Sequence, residues 1–194
     1  MNEHIVEEKY YANGALESRT YYVNDKRHRD IGPAYESFYE NGTTRIRLWY
    51  KHGKPHREDG PANERFNRDG TLSYQGWGYQ GEPHRIDGPT HERFYKDGIP
   101  KSRQWYRYGE RHRDDGPAIE TFYPNGTLKT AEWHKNGRIH REDGPAYEDF
   151  NEAGICLGAE FWLDDMYILP GDYHRQVLLR KLQRKTGSEM GVSL

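Results

Sequence analysis

The residues best equipped for chemistry recur as a group. His-Arg stands at positions 28, 56, 84, 112 and 140, a spacing of 28 residues held without slippage. Around it runs His-Arg-x-Asp-Gly-Pro, with His28, His56, His84, His112 and His140 at its head and Asp59, Asp87, Asp115 and Asp143 before the Gly-Pro of the last four copies. A His and an Asp three residues apart could hold a ligand or a metal ion. A structural role explains the pattern more directly, because a group present in every copy serves what every copy shares, its stacking interface. The Asp is expected to accept backbone N–H bonds and fix a tight loop, while Pro removes a donor as the next strand begins. Arg29, Arg57, Arg85, Arg113 and Arg141 are placed to reach a carboxylate of the adjoining copy. The first loop, Asp30-Ile31-Gly32-Pro33, has Ile where Asp otherwise stands and should be the loosest.

No other chemistry is spelled out. Gly-x-Ser-x-Gly, Gly-x-x-x-x-Gly-Lys-Ser/Thr and His-Glu-x-x-His are absent, no Cys/His cluster exists, and the single Cys156 has no dedicated His partner. No enzyme, cofactor or metal is expected.

A fixed period of this length means one supersecondary unit stacked on copies of itself. Each copy reads as a strand, a Gly turn, a second strand and a longer loop; the second copy runs Ala34 to Tyr39, Asn41-Gly42, Thr43 to Tyr50, then Gly53 to Pro61. Asn-Gly and Asp-Gly at the turns suggest two-residue type I′ hairpins, whose central residues both take positive φ. The expected fold is all-β, a single-layer elongated antiparallel β-meander of about six 28-residue hairpin repeats with a C-terminal helix. Residues 1–163 form the repeat sheet and 164–194 the helix and tail.

If residue 40 pairs with 43, the faces sort themselves. Trp49, Trp77, Trp105 and Trp133 each lie opposite a small residue, Ala34, Ala62, Thr90 and Ala118, and Glu8–Arg19, Glu36–Arg47 and Glu92–Arg103 repeat a charge pair beside them. The opposite face shares no chemistry from copy to copy. One face is thus committed to the fold while the other is free to meet solvent or a partner. Tyr35, Ile46, Leu48, Tyr74, His91, Arg93, Tyr123 and Tyr147 are the expected partner contacts, since aromatic and Arg side chains anchor interfaces.

After Leu163 the pattern fades, and Leu169-Pro170-Gly171 ends it. Asp172 is a candidate N-cap for a helix over His174 to Lys185 with Leu178 and Leu182 on one side, followed by a flexible tail from Thr186 to Leu194. This helix should cap the last strand, or else dock a partner through basic residues that include Arg180 and Arg184.

Composition narrows the function class. Only 33% of residues are hydrophobic, yet 16 Tyr, 5 Trp and 21 Gly in strict register argue for order over disorder. Lys plus Arg (29) nearly balances Asp plus Glu (31), which disfavours binding that relies on neutralising phosphates. No apolar run approaches the span of a bilayer, and the N-terminus shows no signal peptide, so no membrane association and a cytoplasmic site, the host cytoplasm for a viral chain, are expected.

The repeat Trp-Tyr-x-x-Gly-x-x-His-Arg-x-Asp-Gly-Pro-Ala resembles MORN-type repeats, in the expanded form similar to repeats of bacteriophage and giant-virus proteins and of YwqK-type antitoxins. The resemblance spans roughly four-fifths of the chain. It implies a β-meander serving as an interaction scaffold, with a virus-encoded inhibitor or antitoxin-like binder of a larger protein complex as the leading role. Nucleic-acid binding through Arg and aromatic ladders is the first alternative, and a structural virion or assembly component the second.

Overall fold

The computed structural model describes residues 4–189. Thirteen strands follow one another in a single antiparallel sheet, and a further one, Lys26–Arg27, pairs with Leu16–Val23 off that path. Each copy contributes a hairpin: His4–Tyr10 with Leu16–Val23, Tyr35–Phe38 with Thr44–Leu48, Asn63–Phe66 with Leu72–Gly76, and so on to Tyr147–Phe150 with Cys156–Leu163. The thirteenth strand, Met166–Ile168, carries the sheet beyond the boundary expected at residue 163.

The register expected within each hairpin holds over most of its length, with Tyr35 opposite Leu48 and Glu36 opposite Arg47. It slips by one between Ser37 and Phe38, so that Phe38 faces Thr44 and not Arg45. The turn is the cause. Gly42 N donates to Tyr39 O and Tyr39 N to Thr43 O, both at 2.8 Å, and Gly42 alone takes positive φ (83°). This is a three-residue turn closed by a glycine bulge, not the expected type I′ turn. Asn41 contributes through its side chain, whose Oδ1 accepts Thr43 N–H at 3.1 Å.

Type I′ geometry occurs at the other end of each copy. The segment read as a longer loop folds into a short second hairpin, as in Tyr50–Lys51 with Lys54–Pro55, where His52 and Gly53 both have positive φ (51° and 80°). The same turn recurs at Gln80-Gly81, Tyr108-Gly109 and Asn136-Gly137.

Copies are stapled at both ends. At the bulge, Tyr11, Tyr39, Tyr95 and Tyr123 donate their hydroxyls to the carbonyls of Phe38, Phe66, Phe122 and Phe150 of the next copy, each at 2.9 Å. At the short hairpin, Gly53 N donates to Arg27 O at 2.8 Å and Gly137 N to Arg111 O at 2.9 Å.

The helix runs Tyr173–Glu189, longer than expected at both ends; residues 186–189 of the expected tail belong to it, and 190–194 lie outside the described residues. Its inward face is also different. Tyr173 and Val177 pack with Leu163 in an apolar cluster flanked by Phe161 and Ile168, while Leu178 is 58% and Leu182 50% exposed. Tyr173 sets this rotation, because its hydroxyl donates to Arg141 O at 2.8 Å and accepts Gly144 N–H at 3.1 Å.

Candidate functional site

Two constellations stand out, one repeated and one not. The repeated one is built around the loop Arg. Arg57 lays its guanidinium on the Trp49 ring, 4.1 Å from the centroid, and Arg85, Arg113 and Arg141 do the same on Trp77, Trp105 and Trp133 at 3.8–4.0 Å. Arg57 Nε donates to Asp59 at 2.8 Å and Nη1 to Pro61 O at 3.2 Å, and the group reaches Glu64 of the next copy at 3.7 Å. A side chain at Gly60 would place its Cβ 2.8 Å from Arg57 Cζ, so Gly is the residue that lets the guanidinium seat. This accounts for the Arg, Asp and Gly of Arg-x-Asp-Gly-Pro, the Pro position adding its carbonyl. The loop Asp therefore answers the Arg, and the bond with Arg57, Arg85, Arg113 or Arg141 holds Asp59, Asp87, Asp115 and Asp143 below the usual carboxylate range. In the first loop, Ile31 is exposed and Arg29 stacks on Tyr21 at 3.9 Å.

Ala34, Thr90, Ala118 and Ala146 are wholly buried and Ala62 nearly so. The strand ladder ends at Tyr35–Leu48, and each Trp N–H donates to the carbonyl of the next copy's small residue, as Trp49 does to Ala62 at 2.8 Å. The His is a staple. His28 Nδ1 accepts His52 N–H at 3.0 Å, and His56, His84, His112 and His140 accept the equivalent N–H of the next copy at 3.1–3.4 Å. Nε2 faces an acid two residues on, Asp30, Glu58 or Asp114, at 3.0–3.4 Å.

The second constellation occurs once, on the face whose chemistry changes from copy to copy. Registers bring Arg65, Tyr74 and Arg93 side by side on three adjacent strands, with His91 opposite Gly76 in the neighbouring row. The guanidiniums of Arg65 and Arg93 lie 5.3 and 5.6 Å from the centroid of the Tyr74 ring. Tyr74 Oη is 2.7 Å from His91 Nδ1, and Tyr106 meets the His91 ring edge-on at 5.3 Å. Gly76 makes this possible: a Cβ there would fall 2.5 Å from the Tyr74 hydroxyl. Burial pushes the Tyr74 phenol up, and burial followed by the Arg93 charge pushes the His91 imidazole down.

The other expected contacts are dispersed. Tyr35, Ile46 and Leu48 share the second copy's part of this face, with Arg27 5.2 Å from the Tyr35 ring. Tyr147 stands between Glu132 and Glu160, its phenol pushed up by burial first and by Asp149 and those two acids next. Tyr123 is committed to the Phe150 staple. Arg180 pairs with Asp164 and Arg184 with Glu142 at 2.6 Å, so both pin the helix to the last copy. Sequence reasoning missed Arg65, Gly76 and Tyr106. It also missed the loop edge where Ile86 replaces the acid after the His, and His84 stacks on Tyr108 at 4.2 Å instead. Ile86 departs from the acid of the other copies, whereas Tyr106 repeats Tyr50 and Arg65 shares its repeat position with Arg93.

Among the described residues no group of three or more His, Cys, Asp or Glu could hold a metal ion, and no helix is long and apolar enough to cross a membrane. No protein-family model and no curated protein matches the chain.

Proposed function

We propose that this protein is a non-catalytic protein-binding module whose variable sheet face holds a protein target, as a stoichiometric inhibitor or antitoxin-type binder would. The observation that carries the reading is the Arg65–Tyr74–His91–Arg93 cluster. Its Tyr74 and His91 depart from the other copies, Gly76 leaves room for the pair, and it sits mid-sheet at the surface with the side-chain types that dominate binding energy. The His-Arg loops, in contrast, have their donors and acceptors engaged by the stack. The test is affinity capture from the native host with the parent chain and a Tyr74→Ala/His91→Ala/Arg93→Ala triple variant, quantified by mass spectrometry. A discrete partner should be held by the parent and lost by the variant, with the circular dichroism spectrum unchanged. Full retention of that partner by the variant overturns the assignment to this face.

A further inference from the structure

The cations of two neighbouring rows in the sheet are treated differently. On the repeated face Arg19 pairs with Glu8 at 2.6 Å, Arg47 with Glu36 and Glu64 at 3.9 Å, and Arg103 with Glu92 at 3.4 Å. On the variable face Arg65 and Arg93 are exposed and, among the described residues, form no ion pair; the Tyr74 ring between them is their partner. Holding two like charges beside one ring gains the fold little, because exposed charges are screened and Tyr74 could be covered by apolar groups. The separation suits carboxylates. Arg65 and Arg93 sit on strands either side of the Tyr74 strand, about 10 Å apart at the backbone, with guanidinium forks that accept a carboxylate in bidentate fashion. The ring between them offers an apolar floor.

We infer that the Arg65–Tyr74–Arg93 cluster receives an acidic segment of a protein partner, a carboxylate on each guanidinium and an apolar or aromatic side chain on the Tyr74 ring. This rests on the binding role assigned to the variable face and specifies its chemistry. The footprint is short. The next positions along the same rows, Ser102, Thr121 and Thr130, are neutral, and Asp149 beyond them is acidic. A polynucleotide would need a continued basic track.

Fluorescence anisotropy with a short peptide of alternating Glu and Leu, carrying an uncharged label, tests the inference on the full chain. Arg65→Ala/Arg93→Ala should weaken binding about tenfold or more, and Arg138→Ala, which removes an exposed cation from a short hairpin, should leave it unchanged. Raising the salt should weaken the parent complex. Absence of peptide binding, equal loss in the Arg138 variant, or tighter binding of a single-stranded oligonucleotide of equal charge at the same salt overturns it. The capture experiment remains separate: a partner lost with the triple variant but no affinity for the acidic peptide would keep the binding face and reject the carboxylate chemistry.

Discussion

The two faces of this one-layer sheet use the same residue types to opposite ends. Across one runs a row that includes Glu8, Arg19, Glu36, Arg47, Glu64, Gln75, Glu92, Arg103 and Glu120, each directly opposite the next on the neighbouring strand. Charges there alternate except at Gln75, which stands between Glu64 and Glu92, and adjacent copies satisfy one another. Immediately beside it, on the other face, Arg65 and Arg93 flank a Tyr and carry their charge to solvent. The lesson is that repetition in a solenoid reports what neighbouring copies need from each other, so chemistry aimed outward shows up where repetition fails.

That contrast can be broken or sharpened by substitution. The largest effect is expected from Arg113→Ala, which strips the Trp105 ring and frees Asp115, Pro117 O and Glu120 at once. About 2–3 kcal/mol should be lost, read as a lowered urea midpoint; an unchanged midpoint would remove the loop Arg from its central place. Tyr173→Phe deletes one hydroxyl that serves both Arg141 O and Gly144 N, and should cost about 1–2 kcal/mol, with hydrogen exchange accelerating first at the last copy. Acceleration spread evenly over all copies would contradict a local cap. Tyr123→Phe loses a single staple to Phe150 and should cost about 0.5–1.5 kcal/mol.

Acid should act through the loop carboxyls. Asp59, Asp87, Asp115 and Asp143 are depressed in the folded state, so their contribution is present above the unfolded value, near 3.9, and is lost as pH falls through the folded one. Thermal melts should therefore decline below about pH 4, and the four Asp→Asn substitutions together should flatten that limb. His91 is depressed too, so its smaller contribution should fade as pH drops below about 6.5. His91→Gln should abolish that step; a step that survives belongs to another group.

Much of the fold could be read from residue order, for a physical reason. A β-strand alternates faces with period two, so a repeat that keeps every second residue declares its register, and Glu36 does meet Arg47. The turns were harder. Asn-Gly serves both a type I′ turn and a glycine bulge, and only the bonds from Gly42 and Tyr39 distinguish them. The short hairpins escaped notice because strands of two residues, such as Tyr50–Lys51, carry no periodicity. The helix was rotated in the expectation, since leucine spacing weighed Leu178 and Leu182 above a Tyr whose hydroxyl had backbone to satisfy. At the candidate site Tyr74, His91 and Arg93 were legible as aromatic and cationic departures. Arg65 and Gly76 were not, because each acquires meaning only from the strand beside it.

The division between faces is tested most directly by urea titration of two double variants in parallel. Arg47→Ala/Arg103→Ala removes cations paired with Glu36, Glu64 and Glu92 and laid against Phe66 and Phe122, and its midpoint should fall. Arg65→Ala/Arg93→Ala should stay within about 0.5 kcal/mol of the parent chain. Equal destabilisation by both would mean that the fold spends the charges of both faces alike, and the account would be wrong.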